Sequence, residues 1–591
     1  MKDFFKSFFA ALLALILAGG AVFLLLFGML AAIGSSNKPT VPSKAVLVFD
    51  LGTSLTDGER DPEPSEAIGE ALGGGGNRSL VLPEVVEALD RAAGDARVTA
   101  LFLTGNLQGA GPAQLRELRE AIQRFKTKKP VLAYNLGWSK SSLYLGAGAS
   151  TVFIHPFGEM EVNGLATEPM FFGEAFKKYG VEVQVTRVGK FKSAVEPFIT
   201  DRMSEPNRLQ VQKLLDDIWG DWKDSVAKDR KKAPLDIQAI ADERGLVEAE
   251  EAMKLGLVDR VATYDEVLDE LKKLAGKQPK DKDFPQIAMA TYIGIPGEAK
   301  AGKTRVAVMV AEGEIVDGEG KASEVGGDRC ARELRRLRLD DRIKAVVLRV
   351  NSPGGSASAS ELIQREVILT RKVKPVIISM GHLAASGGYW ISTYGDRIFA
   401  EPTTITGSIG VFGLLPNVKK LANDHGITWD SVQTAKLANP MTLTRPKNDL
   451  ELNRIQGVVD HIYEQFISKV AEGRKLKKEA VQEIAQGRVW SGQEALKLGL
   501  VDEMGGLGDA VRYAAKQAKA EHDYQVVGPD REPDALKELL RNLGQGKSRK
   551  LATAGPVQEV LGSFQRQMET LCSLNDPRGV YARMPFDINL K

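Results

Sequence analysis

The chain begins with a long apolar stretch, and no charged residue occurs between Ser7 and Asn37. Its densest part, 8–33, is nearly all apolar. As a helix its roughly 26 residues would span about 39 Å, enough to cross a hydrocarbon core of about 30 Å. Two lysines precede it, which places the following chain outside the cytoplasm. We predict a transmembrane anchor over 7–34; the alternative, a cleaved signal peptide, has a shorter apolar core of about 7–15 residues.

After the anchor, short β-branched runs alternate with stretches of helical periodicity. In the later part of the chain, strands are predicted over 345–350, 375–379 and 396–400, and helices over 361–370 and 450–472. Alternation of this kind is typical of an α/β fold with largely parallel strand pairing.

The hydrophobic pattern also repeats itself. Arg97–Leu103 resembles Arg342–Leu348, and Met253–Asp259 resembles Leu496–Asp502. The matching segments are 245 residues apart in the first pair and 243 in the second, and this near-constant offset indicates two tandem copies of one domain.

We therefore predict an N-terminal domain over 45–275, a linker over 276–302, a C-terminal domain over 303–525 and a tail over 526–591. The linker is rich in Lys, Pro and Gly, and the tail is polar with no informative motif. Since the second copy has its own strand–helix pattern, we expect residues 303–591 to fold alone.

Composition narrows the functional classes. Hydrophobic residues make up 43% and charged residues 26%, as in a folded globular protein. The 79 Lys and Arg against 77 Asp and Glu give a net charge of +2, so a nucleic-acid partner is not expected. Two cysteines and five histidines argue against a disulfide framework or a metal site, and we expect neither metal nor cofactor.

Two motifs in the second copy are candidates for chemistry. Asn351–Ser356, with the letters NSPGGS, follows a predicted strand, and its glycines allow backbone N–H groups to approach a ligand oxygen. Ala384–Trp390, with the letters AASGGYW, follows the next strand and exposes Ser386 among small residues. The simpler interpretation of Ser386 is a helix N-cap.

Together with Gly189–Phe198 and Thr406–Gly410, these motifs resemble the Clp-protease/crotonase superfamily. Within it they resemble the signal peptide peptidase A family in its long, membrane-anchored form. The resemblance covers nearly all of the chain after the anchor. It implies an α/β fold with two tandem Clp-protease/crotonase-like domains after a single N-terminal transmembrane helix.

The resemblance also implies roles for particular residues. The nucleophile is expected to be Ser386 and the general base Lys192, with Ser408 orienting the lysine. The oxyanion hole is expected to use the Gly387 amide together with one of two neighbouring glycines, Gly354 or Gly355.

By the same resemblance, the chain is expected to be a serine endopeptidase with a Ser-Lys dyad that degrades cleaved signal peptides and other hydrophobic peptides. Its expected partners are these peptides, the lipid bilayer and further copies of itself in a homotetramer, and no nucleic acid. The expected location is the bacterial inner membrane, with most of the chain on the periplasmic side.

A lysine can serve as the base only if its pKa falls from about 10.4 to near 7, at a cost of about 4–5 kcal/mol, which burial can impose. Lys190 is a close competitor, because on a strand it would face the same side as Lys192, but the favoured interpretation of Lys190 is a solvated surface lysine. Two histidines are alternative bases: His382 shortly before Ser386, and His425 after it.

The first copy is expected to lack a nucleophile. The repeat offset aligns Ser386 with Lys140, although three neighbouring serines mean that a gap would change this alignment. In the second copy, Lys436 lies near the place of Lys192 but off register. One site per chain, built from both copies, is the simplest prediction.

The sequence has three alternative interpretations. A crotonase-like acyl-CoA enzyme would share the oxyanion hole but would use acidic catalytic residues, and a non-catalytic membrane scaffold would not need Ser386, Lys192 and Ser408 together. The segment 297–304 matches the pattern of a phosphate-binding loop. It runs into a predicted strand rather than a helix, so we do not expect it to bind nucleotide.

Overall fold

The computed structural model describes residues 40–58, 79–107, 109–295, 302–528, 574, 576 and 579–584. The predicted anchor over 7–34 and most of the predicted tail lie outside these described residues. All described helices and strands belong to one compact unit. Within the described ranges, no helix combines the length and apolar character needed to cross a membrane.

The first half contains eleven described strands and ten described helices. The strands are β1 (Ala45–Asp50), β2 (Ser54–Thr56), β3 (Ser79–Val81), β4 (Val98–Thr104), β5 (Val131–Asn135), β6 (Thr151–Ile154), β7 (Glu159–Glu161), β8 (Glu182–Val188), β9 (Leu246–Glu248), β10 (Arg260–Val261) and β11 (Gln286–Ala288). The helices are α1 (Leu82–Gly94), α2 (Pro112–Lys126), α3 (Lys140–Gly146), α4 (Gly173–Lys178), α5 (Glu196–Ile199), α6 (Glu205–Asp229), α7 (Pro234–Glu243), α8 (Ala249–Lys254), α9 (Tyr264–Leu274) and α10 (Met289–Ile293).

The second half follows the same alternation. Its described strands are β12 (Thr304–Glu312), β13 (Ile315–Val316), β14 (Val325–Gly326), β15 (Ile343–Ser352), β16 (Gly354–Ser356), β17 (Val376–Ala385), β18 (Arg397–Ala400), β19 (Ile405–Gly407), β20 (Val411–Asn417), β21 (Val489–Ser491), β22 (Glu503–Met504), β23 (Tyr524–Val527) and β24 (Val580–Arg583). Its described helices are α11 (Gly327–Leu339), α12 (Ala357–Arg371), α13 (Gly387–Ser392), α14 (Lys419–Asp424), α15 (Asp449–Arg474), α16 (Lys478–Ile484), α17 (Gly492–Lys497) and α18 (Leu507–Gln517).

Each half builds its own sheet, and the two sheets share one topology. The first runs β10-β6-β5-β4-β1-β11 and is parallel throughout. The second contains the run β18-β17-β15-β12-β23, also parallel, which repeats the order β6-β5-β4-β1-β11. The α/β alternation, the predicted strands and helices and the tandem repeat are therefore confirmed.

The second sheet is buried on both faces, as its uninterrupted apolar strands predict. In β15, Ala345 and Val347 pack with α18 on one face. Val346, Leu348 and Val350 pack on the other face, in a cluster with α12 and α15. This alternation holds the carboxyl end of β15, and the glycine loop after it, in a fixed position.

A third sheet joins the two halves. Its order is β14-β13-β16-β24-β20-β8, and β8 of the first half pairs antiparallel with β20 of the second along its whole length, from Glu182↔Asn417 to Val188↔Val411. The predicted linker also contains structure, because β11 (Gln286–Ala288) adds an edge strand beside β1.

A buried ion cluster adds a second connection between the halves. Arg349 of β15 is fully buried, and its guanidinium bonds Asp57 at 2.6 Å and Glu117 of α2 at 2.5 Å. Without the first half, Arg349 would lose both carboxylates and β20 would lose β8. The expectation that residues 303–591 fold alone is therefore at odds with the packing.

The Arg349→Met substitution tests this cluster. It leaves Asp57 and Glu117 buried without their cation, which we expect to cost about 3–5 kcal/mol of stability. The matched control is Arg397→Met, because Arg397 pairs with Glu503 on the surface, where such pairs contribute about 0–1 kcal/mol. Thermal unfolding should show a large fall for the first variant and almost none for the second; equal melting temperatures would contradict the role of the cluster.

Candidate active site

Ser386 lies at the junction of β17 and α13, and its backbone is strained. Its φ of 55° and ψ of −111° fall where residues other than glycine rarely occur. The N–H donates to the Gly407 carbonyl at 2.8 Å, and the carbonyl accepts from the Trp390 N–H at 2.7 Å. Although Ser386 occupies the N-cap position of α13, its side chain makes no capping hydrogen bond, so its hydroxyl is left for another partner.

Ser408 occupies the matching place beside Ser386. β19 pairs in parallel with β17, and the register Ala385↔Gly407 brings the two following serines side by side. Ser408 also has a positive φ, 51°, and its N–H donates to the Arg488 carbonyl at 2.7 Å. The loop Thr406–Gly410 is therefore held from both sides.

Lys192 reaches these serines from the first half. After β8 the chain turns at Gly189, whose φ is 99° and whose backbone packs so closely on Gln486 that a Cβ would come within 2.3 Å. The fully buried Lys192 then places its Nζ 2.7 Å from Ser386 Oγ and 3.0 Å from both the Oγ and the carbonyl oxygen of Ser408. Lys192 thus contacts both the predicted nucleophile, Ser386, and the predicted orienting residue, Ser408.

Two glycines make room for the lysine side chain. A Cβ on Gly487 would lie 2.6 Å from Lys192 Cβ, and a Cβ on Gly410 would lie 3.2 Å from Lys192 Cδ. Gln210 of α6 fixes the segment from the other side, because its Nε2 donates to the Phe191 carbonyl at 3.0 Å and its Oε1 accepts from the Val489 N–H at 3.2 Å.

Burial changes the protonation of the lysine. Loss of solvation lowers the pKa of Lys192 well below its ordinary value of 10.5, and the positive charge of Arg583 lowers it further. The hydrogen-bond partners of Nζ are neutral oxygens, and among the described residues no carboxylate forms an ion pair with it. The site therefore favours a neutral amine.

The competing bases lie elsewhere. Lys190 is exposed, since the segment turns instead of continuing as a strand. His382 lies within β17 against Gly111, and burial lowers its pKa to about 4. His425 is exposed and bonds the Leu421 carbonyl. Lys436 is exposed as well, so none of the four replaces Lys192.

In the residues that the structure describes, the first half forms no equivalent site. By its N-cap position on α3, after β5, Ser139 corresponds to Ser386, one residue before the Lys140 that the repeat offset gives. Ser139 has ordinary extended angles, and its side chain caps α3 by accepting from the Ser142 N–H. Lys140 instead bonds Asn163 at 2.7 Å.

The glycine loop lies beside the nucleophile. Gly354 and Gly355 have φ of 92° and 152°, which only glycine adopts readily. A Cβ on Gly354 would come within 2.5 Å of the Gly387 nitrogen, so these two glycines are neighbours. Gly355 packs on Ile315 of β13 instead, where a Cβ would lie 2.0 Å from the carbonyl oxygen.

Sequence reasoning missed the strand β24, which lies between β16 and β20 beside the glycine loop. The polar tail composition gave no signal for it. The sequence also did not predict the roles of Gln210, Gly487 and Arg488, because each acts through backbone contacts that no local motif indicates. Among the described residues, no cluster of three or more His, Cys, Asp or Glu side chains is arranged to hold a metal ion.

A hydroxyl at a strand–helix junction, with a buried amine and a glycine loop beside it, defines a serine-hydrolase type of site on this α/β fold. The model of peptidase family S49 matches residues 123–278 and again 368–521. The chain belongs to this family and is a serine peptidase with two S49 domains.

The curated relatives agree over nearly the whole length. "Protease 4" from Salmonella typhi is 33% identical over 95% of this chain and 94% of its own, and "Protease 4" from Haemophilus influenzae is 34% identical over 93% and 92%. The "Serine protease SPPA, chloroplastic" of Arabidopsis thaliana is 31% identical over 86% of this chain and 74% of its own. Among solved structures, a ClpP1 mutant from Listeria monocytogenes covers 34% of this chain and 94% of its own, at 15% identity and a TM-score of 0.24, too low to bear on the fold.

Lys192→Met tests the neutral amine through stability. Because burial lowers the pKa of Lys192 in the folded state, folding favours release of its proton, and this cost to stability fades as the pH rises towards the ordinary pKa of an unfolded lysine. The substitution removes this pH-dependent cost and also loses the three hydrogen bonds that Nζ donates to Ser386 and Ser408. We expect the wild type to gain stability relative to Lys192→Met as the pH rises from 7 to 10, measured as the difference between their melting temperatures.

The control is Lys190→Met, whose side chain is exposed and should leave the melting temperature unchanged at both pH values. A Lys192→Met variant that melts lower than the wild type at pH 7 and recovers at pH 10 would mean that the folded lysine is charged.

Proposed function

We propose that the chain is a serine endopeptidase in which Ser386 is the nucleophile, Lys192 the general base and Ser408 the residue that orients the lysine. The observation that carries this proposal is the 2.7 Å contact between Ser386 Oγ and a fully buried amine that lacks a carboxylate partner among the described residues. A serine hydroxyl needs such a base to react at neutral pH.

The proposed reaction has two stages. The neutral Lys192 amine takes the Ser386 proton while Oγ attacks the peptide carbonyl, and the resulting ammonium then protonates the leaving amine. Water, deprotonated by the same amine, attacks the acyl ester and releases Ser386. Ser408 accepts a hydrogen bond from Nζ in both protonation states, so it keeps the amine directed at Ser386.

The oxyanion is proposed to form beside Gly387 and Gly354. The Gly387 amide begins α13, so its N–H is free of an intrahelical partner and the helix N-terminus favours negative charge. Gly354 allows the carbonyl to approach, because a side chain there would occupy its place. Gly355 supports the loop by packing on β13.

The substrates are proposed to be cleaved signal peptides and other hydrophobic peptides, presented at a bacterial inner membrane on its periplasmic side. This proposal rests on the apolar segment 8–33 and on the names of relatives, one of which is the "Putative signal peptide peptidase SppA" of Enterococcus faecium. A homotetramer is proposed on the same resemblance, and sedimentation equilibrium of the detergent-solubilised full chain tests it.

Four variants test the proposed dyad. Ser386→Ala, Lys192→Ala and Lys192→Arg should each lower kcat/KM on a fluorogenic peptide by about 10³-fold or more, since the members of such a unit act together and arginine does not deprotonate in a protein. The neighbouring Lys190→Ala should keep most of the activity. Because the amine must be neutral, wild-type activity should fall as the pH drops through the pKa of Lys192.

The outcome that contradicts the assignment is an inactive Lys190→Ala beside an active Lys192→Ala. Circular dichroism of every variant separates loss of chemistry from loss of fold.

The anchor has its own test. The full chain should stay in the membrane pellet after alkaline carbonate washing, while a chain that begins at Ser43 should be recovered in solution and still hydrolyse soluble peptides. Release of the full chain by the wash would contradict the anchor and favour the alternative, a cleaved signal peptide.

A further inference from the structure

Glu196 belongs to the motif Gly189–Phe198, and the proposed function leaves it without a role. It follows Lys192 by four residues and begins α5. Its side chain is 2% exposed, and its hydrogen-bond partners among the described residues are all neutral. A buried carboxylate without a cation is costly unless hydrogen bonds satisfy it, and an apolar side chain would serve packing alone better. The acceptor atoms are therefore what this position requires.

Both carboxylate oxygens of Glu196 bond to the first turn of α6. Oε1 accepts from Ser204 Oγ at 2.6 Å. Oε2 accepts from the Ser204 N–H at 3.2 Å and from Asn207 Nδ2 at 2.9 Å. Ser204 in turn caps α6 by accepting from the Asn207 N–H. Glu196 thus attaches the helix that follows the lysine segment to the start of α6, and it sets the direction of the Asn207 amide.

Asn207 passes this direction on to Gln210, one turn further along the same buried face of α6. Because a carboxylate only accepts, Asn207 directs its Nδ2 at Glu196 and its Oδ1 at Gln210, whose Nε2 donates to it at 3.1 Å. The Gln210 amide is then left with its Oε1 on the opposite side. One carboxylate therefore fixes the direction of two amides.

The Nε2 end of Gln210 holds the chain on both sides of the base. It donates to the Phe191 carbonyl at 3.0 Å and lies 3.2 Å from Ser193 Oγ. These two residues are the immediate neighbours of Lys192 in the chain. The place of the Lys192 backbone, and so the place from which its side chain starts, depends on this amide.

The Oε1 end of Gln210 reaches the segment that holds Ser408. It accepts from the Val489 N–H at 3.2 Å, and the preceding residue, Arg488, accepts the Ser408 N–H at 2.7 Å. A reversed amide would place Nε2 against the Val489 N–H, with two donors facing each other. The orientation that begins at Glu196 is thus needed on both sides of the contact between Lys192 and Ser408.

We infer that Glu196 is a positioning residue for the general base: acting through Asn207 and Gln210, it keeps Lys192 Nζ in contact with Ser386 Oγ. This inference rests on the proposed function, because it gives Glu196 a task only if Lys192 is the base. If Glu196 merely fastened α5 to α6, its loss would lower stability and leave the chemical step unchanged. A displacement of about 1 Å at a reacting group lowers a rate about 10²-fold, so the two roles differ in kcat.

Glu196→Met removes the acceptors and keeps the length of the side chain. On a fluorogenic peptide, kcat should fall at least tenfold while KM stays within about twofold, because the hydrogen bonds end on the backbone around Lys192. Glu196→Gln should recover most of kcat, since its amide oxygen can still accept from Asn207 and Ser204. Asn207→Leu interrupts the same chain of hydrogen bonds one step later and should lower kcat to a similar degree.

The matched control is Glu451→Met. Glu451 is also buried, and it also accepts the N–H of a helix N-cap residue, Asn448 of α15, at 3.0 Å. Its other partner is Arg445, so the substitution should lower the melting temperature but keep kcat. Circular dichroism at the assay temperature shows which variants are folded. Equal kcat for folded Glu196→Met and Glu451→Met, or a raised KM with unchanged kcat, would overturn the inference.

Combined variants show whether Glu196 acts through the lysine. Fluorophosphonate should label Ser386 at least tenfold more slowly in Glu196→Met than in the wild type, but adding Glu196→Met to Lys192→Met should cause no further loss. A further tenfold loss in that background would mean that Glu196 acts by another route. Wild-type labelling of Glu196→Met beside slow labelling of Lys192→Met would defeat this inference alone, whereas wild-type labelling of Lys192→Met would defeat the proposed function as well.

Discussion

The Lys192 amine is buried against three neutral oxygens, and the candidate site depends on this contact. A lysine at the surface would be protonated and useless as a base. Here the first half supplies the lysine and the second half supplies the enclosure, so neither half can form the site alone. The antiparallel pairing of β8 with β20 brings Lys192 of the first half next to the serines of the second half.

The two copies of the tandem repeat have different roles. Both halves keep the same parallel strand order, but among the described residues only the second half has a strained serine at a strand–helix junction. In the first half, Ser139 caps α3 with ordinary backbone angles, so its hydroxyl is used structurally. The first half contributes instead the lysine, Gln210 that positions it, and the carboxylates that neutralise Arg349.

Much of this could be predicted from the sequence. Local patterns predict the apolar runs of β15 and β17, the helix α12 and the repeat. Motifs that resemble a known family predict the places of Ser386, Lys192 and Ser408. The rest could not, because it depends on contacts between distant segments. Asp57 forms an ion pair with Arg349, β8 pairs with β20, and β24 pairs with β16. No local pattern indicates any of these pairings. The exposure of Lys190 was predicted, but the turn at Gly189 was not, because it is set by packing of Gly189 on Gln486.

The central claim is that a neutral lysine from the first half activates a serine of the second, and the rate at which a fluorophosphonate labels Ser386 measures this most directly. The wild type should label at Ser386 alone, at a rate that rises with pH through one ionisation well below pH 10.5. Lys192→Met, with the same fold, should label at least a hundredfold more slowly at every pH. Equal labelling rates for the two proteins, or labelling at a different serine, would contradict the account.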